Sequence, residues 1–296
     1  MNHKDTLQRF IFDGAPVRGA TVRLDDAWQA VLSRRSYPAP VRDVLGQMMA
    51  ASALLAANLK FDGTLVMQIQ GKGPLRLAVV ESNSDRTLRA TAKWDAVPSQ
   101  VTSPRELFGE HAQFVITLDP RQGEPWQGIV ALEGDSIGAM LENYMQRSEQ
   151  LDTRLILAAD AGAAAGLLLQ RLPDGHGDAE GWQHVKVLAD TLSSQELLEL
   201  PATELLHRLY HDEALRLFDA EPMAFACNCS HARVGDMLKM LGGEEVAHVI
   251  LEQGSVEITC DFCNQNYVFD QDDVTELFGT DVVGAVKAAS DGDVRH

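Results

Sequence analysis

The N-terminal stretch of the chain carries two kinds of hydrophobic pattern. Residues 8–13 and 16–24 are short strand-like runs, and Asp13-Gly14 between them is a turn signal, so a β-hairpin is predicted. Residues 25–34 and 41–59 instead repeat their apolar side chains at helical spacing, which predicts two helices. The chain therefore opens with strands and helices in close succession, as a mixed α/β domain does.

Short apolar runs between turn residues dominate the middle of the chain. A helix is predicted at about 135–148, and Ser136 is expected to cap its N-terminus. The Ala-rich runs 154–159 and 166–172 fit either a strand or a helix, because neither period stands out in them. The remaining runs predict strands at 64–70, 75–81, 86–94, 113–118 and 126–133.

A change of composition separates this part from the rest of the chain. The segment PDGHG, from Pro173 to Gly177, combines turn residues and is the clearest boundary signal. Beyond it, residues 182–219 carry apolar side chains at helical spacing, interrupted at Pro201, and this stripe is too apolar to lack a partner surface. We therefore expect an α/β core domain at 1–173, an amphipathic helical linker at 174–220 and a small C-terminal domain at 221–296.

Composition and charge exclude several classes of protein. The 296 residues are 45% hydrophobic and 23% charged, which is ordinary for a globular chain. The net charge is −18, and residues 174–296 carry 7 basic against 24 acidic side chains, which opposes binding to nucleic acid or anionic membranes. No apolar run reaches the ~18 residues of a membrane-spanning helix, and the N-terminus lacks a secretory signal. A cytoplasmic protein is therefore expected.

All four cysteines fall between residues 227 and 263. Cys227 and Cys229 form a Cys-x-Cys pair, and Cys260 and Cys263 form a Cys-x-x-Cys pair thirty residues later. Two thiolate pairs from separate segments provide the four soft ligands that tetrahedral zinc prefers. A structural metal would also help a small, acidic, aromatic-poor domain to fold. The sequence predicts a four-cysteine zinc site, with buried structural thiols, or His231 in place of one cysteine, as the alternatives.

Such a site would respond to oxidants. A zinc ion bound by four thiolates carries a net charge of about −2, and the metal keeps the thiols deprotonated. Strong oxidants convert thiolates through sulfenic acid to disulfides, and the metal is then released. Loss of the metal removes the binding energy that holds the small domain together. The sequence thus indicates a route from an oxidant to local unfolding.

Three other functions fit the sequence less well. A thiol–disulfide oxidoreductase needs its reactive cysteine at a helix N-terminus, whereas Cys260 follows the strand-like run 255–259 and a second such run lies at 267–269. A zinc-ribbon nucleic-acid binder needs a basic face, but residues 221–296 carry 4 basic and 14 acidic side chains. A nucleotide-dependent enzyme needs a phosphate loop, and Gly71-Lys72-Gly73 lacks its spacing. No enzymatic activity is therefore expected.

The cysteine segments FACNCS at 225–230 and CDFC at 260–263 resemble those of a known family, the redox-regulated holdase chaperones called heat-shock protein 33 (33 kDa chaperonin). The segments GKGPLRLAVVE at 71–81 and QGIVALEGDSIGAMLENYMQRSEQLDT at 127–153 are similar to the family's N-terminal domain. The resemblance extends over the chain, and no cysteine position departs from the family's pattern.

This resemblance implies a mechanism. In the reduced state, Cys227, Cys229, Cys260 and Cys263 would bind Zn²⁺ and keep the protein inactive. Oxidation would join Cys227 to Cys229 and Cys260 to Cys263, release zinc, unfold the C-terminal region with the linker, and favour a homodimer. The exposed surface would hold unfolded or partially folded client proteins against aggregation without ATP, as a cytoplasmic response to oxidative stress.

Overall fold

The structure is a computed structural model that describes residues 4–58, 62–97, 103–173 and 179–286. The chain divides into two compact units, Met1–Ala226 and Cys227–His296. Within the described residues, the first unit contains two six-stranded sheets, and the second contains a two-stranded hairpin packed with helices. The expected fold class is confirmed: a mixed α/β core, a helical segment after it and a small C-terminal region that carries the cysteines.

Twelve short strands build the two sheets of the described first unit. Sheet 1 has the strand order β10-β1-β2-β9-β8 with β11 also paired to β1, and its pairs are antiparallel. Sheet 2 has the order β12-β5-β4-β3-β6-β7 and is antiparallel apart from the β12–β5 pair. The strands are β1 (Thr6–Phe12), β2 (Val17–Leu24), β3 (Gly63–Gln70), β4 (Leu75–Asn83), β5 (Thr87–Trp94), β6 (Gln113–Pro120), β7 (Trp126–Val130), β8 (Thr153–Ala159), β9 (Ala164–Arg171), β10 (Leu215–Leu217), β11 (Glu221–Pro222) and β12 (Ala224–Phe225).

Helices complete the first unit, and most lie where the helical period placed them. The helix at 137–148 is capped as expected, because the Ser136 hydroxyl accepts a hydrogen bond from the Ala139 N–H at 3.1 Å. The strand expected to reach residue 133 ends at Val130. The helices are α1 (Asp26–Leu32), α2 (Ala39–Ala56), α3 (Pro104–Phe108), α4 (Ile137–Ser148), α5 (Ala179–Ala189), α6 (Ser194–Glu199) and α7 (Ala202–Tyr210).

Helix α2 packs into the main core, which contains side chains of both sheets. Its residues Leu45, Met48 and Leu54 are fully buried. Pro40 lies in the first turn of α2, where its missing N–H is not needed, so the helix begins before the predicted residue 41. A Cβ atom at Gly166 of β9 would lie 2.7 Å from Leu54 Cδ1, so glycine allows the helix to approach the sheet.

The Ala-rich runs that fitted either structure are the strands β8 and β9. Strand β9 pairs with β2 on one side and β8 on the other, and its residues 164–170 are buried throughout. It is covered on one face by the main core and on the other by a second core. A strand buried on both faces has no polar alternation, which explains why its period was ambiguous.

The predicted amphipathic segment forms α5, α6 and α7, which cover the outer face of sheet 1. Val185, Leu197 and Leu205 are buried there against side chains of β1, β2 and β9. The helical prediction is wrong after Tyr210, because Leu215–Leu217 instead pairs with the free edge of β1. Of the expected boundary at Pro173–Gly177, residues 174–177 lie outside the described residues.

The chain from residue 215 to 226, named here the strap, runs along the edges of both sheets. Its strands β10 and β11 pair with β1 of sheet 1, and β12 pairs with β5 of sheet 2. The Glu221 carboxylate binds Arg9 at 2.8 Å and Arg86 at 2.5 Å, and the Arg34 guanidinium lies 4.2 Å from the Phe225 ring centroid. The strap leads directly to the first cysteine.

The second unit has a small core of its own. Helices α8 (His231–Leu241), α9 (Gly243–Gln253) and α10 (Gln271–Phe278) pack with the hairpin of β13 (Val256–Thr259) and β14 (Asn266–Phe269). Its fully or nearly fully buried side chains include Leu238, Phe269 and Val274. No helix in the described part of the chain is long and apolar enough to cross a membrane.

Candidate metal and redox centre

Two local structures present the four cysteines. Cys227 and Cys229 precede α8, whose N-terminus is capped by the Ser230 hydroxyl, which accepts a hydrogen bond from the Arg233 N–H at 3.2 Å. The Arg233 guanidinium also donates to the Asn228 carbonyl at 3.2 Å. These contacts fix the backbone at Asn228 and Ser230, on both sides of Cys229. They therefore restrict the orientation of the first pair of thiols.

The second pair lies in the turn of the β13–β14 hairpin. The Cys260 N–H donates to the Gln265 carbonyl at 2.9 Å, and the Asn264 N–H donates to the Cys260 carbonyl at 2.9 Å. Asn264 has a φ of 60°, a left-handed conformation that asparagine tolerates and that closes the tight turn. The expected knuckle between two strands is confirmed, and neither cysteine lies at a helix N-terminus.

The four sulfur atoms lie within 4.8 Å of one another. Cys227 Sγ is 3.4 Å from Cys229 Sγ and 3.7 Å from Cys260 Sγ, and Cys229 Sγ is 3.3 Å from Cys263 Sγ. A tetrahedral zinc ion with Zn–S bonds of about 2.3 Å needs sulfur–sulfur separations of about 3.8 Å. The donor set and its spacing therefore fit a tetrahedral thiolate-bound metal, and the separations exceed the ~2.05 Å of a disulfide bond.

The thiols need a cation to ionise together. Burial, and after it the neighbouring thiols, raises the pKa of Cys263 to about 12, and burial raises the pKa of Cys260 as well. At neutral pH these two groups would therefore keep their protons, because additional negative charge in a confined cluster is unfavourable. A divalent cation at the centre of the cluster reverses this preference and stabilises the thiolate forms.

Tyr267 makes a contact to the cluster that the sequence did not reveal. Its hydroxyl donates a hydrogen bond to Cys229 Sγ at 3.1 Å, and this bond raises the pKa of Tyr267 to about 12. Tyr267 lies on β14 directly after the turn, and the sequence pattern identified it only as part of a strand. The hydroxyl orients and stabilises negative charge on Cys229, as outer-shell groups of metal sites do.

His231 lies outside the cluster. Its ring stacks on Phe269 with ring centroids 4.1 Å apart, and its Nε2 atom is 3.4 Å from the Val268 carbonyl oxygen. Within the residues that the structure describes, the only group of three or more potential metal-ligating side chains is the set of four cysteines. All four are half-buried, so that a small oxidant in solvent can reach them.

The glycines considered for a phosphate loop have a packing role instead. A Cβ atom at Gly71 would lie 1.9 Å from the Phe108 carbonyl oxygen, and the Gly73 N–H donates to the same oxygen at 2.8 Å. Glycine is needed here because the turn before β4 lies directly against the end of α3. The fold and the site thus define a two-unit α/β protein whose distinguishing chemistry is a cluster of four thiols that could hold a metal ion.

Comparisons with known proteins identify the family. The sequence profile of the Hsp33 protein family matches residues 5–270. The 33 kDa chaperonin of Chromobacterium violaceum is 62% identical over 291 residues, which are 98% of this chain and 99% of the relative. The 33 kDa chaperonin of Neisseria meningitidis serogroup A is 53% identical, with 97% and 96% covered.

A solved structure has the same fold. The crystal structure of the 33 kDa chaperonin of Thermotoga maritima matches with a TM-score of 0.81 and 22% identity, covering 93% of this chain and 98% of that one. This chain therefore belongs to the Hsp33 family. Its members are named as chaperonins, so the chain is classed with chaperones rather than with enzymes.

Proposed function

We propose that this chain is a redox-regulated, ATP-independent holdase that prevents the aggregation of unfolding or oxidatively damaged proteins. The observation that carries the proposal is the cluster of four half-buried thiols beside a small core. Such a cluster can hold a small unit folded through a metal and can release it when the ligands are oxidised. Membership of a chaperone family supports unfolded or partially folded client proteins as the partners.

Zinc is the proposed metal in the reduced state. Cys227, Cys229, Cys260 and Cys263 would be its ligands, because four thiolates at tetrahedral spacing suit zinc better than harder metals. When bound, the ion supplies the positive charge that keeps the thiolates ionised and cross-links the two segments that carry them. The Tyr267 hydroxyl and the turn N–H groups hold the ligands in place.

The proposed switch is the oxidation of the two cysteine pairs. In each pair two thiolates lose two electrons and one sulfur–sulfur bond forms, joining Cys227 to Cys229 and Cys260 to Cys263. A peroxide accepts the two electrons with two protons, its O–O bond breaks, and two water molecules are released for hydrogen peroxide. The disulfides are poor metal ligands, so zinc leaves as the thiolates are consumed.

Unfolding of the linker is the proposed consequence. We divide the chain into a core domain at 1–173, a linker at 174–220 and a redox-switch domain at 221–296. The linker helices bury Val185, Leu197 and Leu205 against sheet 1, and the strap connects them to the first cysteine pair. When the switch domain unfolds, the strap and the linker helices would be released. The apolar stripe of the helices and the outer face of sheet 1 would then both be exposed to clients.

The assembly and location follow from the same chemistry. The newly exposed apolar surface would favour a homodimer in the oxidised state. The strongly acidic C-terminal part disfavours nucleic acid and anionic membranes as partners. A thiolate–zinc site that acts as an oxidant sensor needs a compartment that is normally reducing, which points to a cytoplasmic protein of the oxidative stress response.

The test is light scattering from a thermally unfolding client protein without ATP. The full-length protein is compared in its reduced, zinc-loaded form and after treatment with hydrogen peroxide at mildly raised temperature, while a colorimetric chelator follows zinc release. We expect only the oxidised form to suppress scattering, in step with the loss of zinc. Reduction with added zinc should return the protein to the inactive form.

A matched variant isolates the cysteines. The variant with all four cysteines changed to serine has no thiols to oxidise, so its activity should not depend on peroxide. The variant Ser255→Ala, directly before the β13–β14 hairpin and outside the cluster, should behave as the parent protein. If the reduced and oxidised parent proteins suppress scattering equally, the redox switch is wrong, and if neither does, the holdase function is wrong.

A further inference from the structure

A cavity in the first unit lies apart from the cysteine cluster. It has a volume of about 260 Å³ and is lined by side chains of both sheets, of helices α2 and α4 and of the segment that follows α4. The exposed surface within it is mostly apolar. The apolar lining includes Leu55, Leu65, Ile116, Leu118, Trp126 and Met145.

Among the residues that the structure describes, one cation lines this apolar space. Arg18 of β2 is half-buried, and among the described residues no salt bridge includes it. Its Nε and Nη2 atoms donate to Gln170 Oε1 at 3.2 and 2.8 Å, and Gln170 is buried. Burial lowers the pKa of Arg18, because the surroundings solvate its positive charge poorly. The guanidinium has five N–H groups, so that several donors remain for a ligand.

The second charged group of the lining is already engaged. Glu149 is exposed, and its carboxylate accepts a hydrogen bond from the Tyr144 hydroxyl at 2.9 Å. No ion pair joins Glu149 to Arg18 within the described residues, although both line the cavity. Among the described residues, the cavity therefore combines an apolar interior, a fixed cation without a carboxylate partner and an acidic group at its solvent-exposed side.

We propose that this cavity binds an aliphatic monocarboxylate, with its carboxylate on Arg18 and its chain among the apolar side chains. A carboxylate pairs with the planar guanidinium through two parallel hydrogen bonds, and one negative charge matches the single cation of the described lining. A dianion such as phosphate would retain an unmatched charge near Glu149. The apolar lining then accounts for the chain of the ligand, since apolar atoms bury favourably there.

The size of the cavity limits the chain length. A cavity of about 150 Å³ holds one benzene ring, so a cavity of 260 Å³ suits about ten non-hydrogen atoms. Octanoate has this size and is the probe. Bound between two sheets and α2, it would stabilise the first unit through contacts that the unfolded chain lacks.

The experiment is a calorimetric titration of the full-length, reduced, zinc-loaded protein with octanoate. We expect one octanoate per chain, with octanol and acetate binding at least tenfold more weakly and octylammonium not binding. Octanol lacks the charge, acetate lacks the chain, and octylammonium carries the opposite charge. Equal binding of octanoate, octanol and octylammonium would indicate non-specific apolar contact and would overturn the proposal, as would no binding of octanoate.

Three variants separate the contacts. Arg18→Met keeps most of the packing volume but removes the cation, and should weaken octanoate binding by about tenfold or more. Glu149→Gln removes the nearby negative charge and should strengthen binding a few-fold, a gain that a loss of folding cannot produce. Ile129→Ala, exposed on β7 and not part of the lining, should leave binding unchanged. Binding that is insensitive to both charge variants would contradict the assignment of Arg18.

Discussion

At the scale of single residues, the reactivity of the centre depends on contacts that surround the thiols. Cys229 is close to Cys227 and Cys263 and also receives the Tyr267 hydrogen bond. A hydrogen-bond donor lowers the nucleophilicity of a thiolate, because it stabilises the charge that must attack the oxidant. We therefore expect Tyr267 to make Cys229 slower to oxidise than an equally exposed thiolate without this hydrogen bond.

Tyr267→Phe should accelerate oxidation. The change removes one hydroxyl without changing the size of the ring, and the loss of a single hydrogen bond corresponds to a rate increase of about threefold to tenfold. Stopped-flow measurement of zinc release after addition of hydrogen peroxide gives the rate. The control Thr259→Val removes a hydroxyl from the same hairpin that, among the described residues, donates to Asn266 Oδ1 and not to the cluster. An unchanged rate in Tyr267→Phe would show that the hydrogen bond has no kinetic role.

Cys260→Ser should weaken zinc binding by about a hundredfold or more, because a neutral hydroxyl replaces one of four thiolates that share the binding energy. Hydrogen exchange in residues 227–286 should become faster even in reductant, since Cys260 also lies in the turn of the only described hairpin of that unit. Competition with a chromophoric chelator measures the affinity. If the variant binds zinc as tightly as the parent protein and its hydrogen exchange is unchanged, the proposed coupling between metal binding and the folding of this unit is wrong.

At the scale of secondary-structure elements, the apolar stripe of the linker helices correctly predicted that these helices pack against another surface. The stripe covers the outer face of sheet 1. The sequence could not identify the sheet face that these helices cover. Strand β9, which forms part of it, is apolar on both sides, so its pattern fits a strand and a helix equally well. The helical pattern also continued falsely through Leu215, where pairing with the edge of β1 overrides the local preference.

Leu206→Ala should loosen α7 from sheet 1. Leu206 is 2% exposed, and truncation of a buried leucine destabilises a fold by about 3 kcal/mol through lost burial and a residual cavity. The reduced, zinc-loaded variant should bind more of a hydrophobic fluorescent dye and suppress client aggregation in part without peroxide. Thr203→Ala, exposed on the same helix, is the control. Increased dye binding without any chaperone activity would exclude this helix-covered face as a client surface.

At the scale of the whole molecule, the two units differ in what holds them together. The first unit has two extensive cores, and most residues of α2 are buried in the main one. The second unit has a single small core and four thiols that repel one another when ionised. Metal removal should therefore act on the second unit far more strongly than on the first.

Chelation of zinc in the presence of reductant tests this difference. Hydrogen exchange should increase in α8–α10 and the β13–β14 hairpin, whereas β2 and β9 should keep their protection. Re-addition of zinc should restore the original exchange pattern. If hydrogen exchange becomes faster by the same factor in both units, their stabilities are coupled, and the expectation drawn from their separate cores is wrong.

The sequence by itself determined most of the local elements and the four-cysteine donor set of the candidate centre. The hairpin at Asp13-Gly14, the period of α2 and the two cysteine pairs are encoded within short stretches, because turn preference, helical period and ligand spacing act over a few residues. The cysteine pairs, together with the segments 71–81 and 127–153, also carried the resemblance to the family that the comparisons then showed. The fold class also followed, since strands and helices alternate visibly along the chain.

Only the tertiary structure decided the features that join distant residues. The strand identity of 164–171 depends on β2, β8 and two packed faces, and the strap depends on sheet edges more than a hundred residues away. The Tyr267–Cys229 hydrogen bond and the cation of Arg18 in an apolar cavity have no local signature, because each arises where separate segments meet. A sequence displays preferences of neighbouring residues, whereas burial, pairing and proximity are properties of the folded chain.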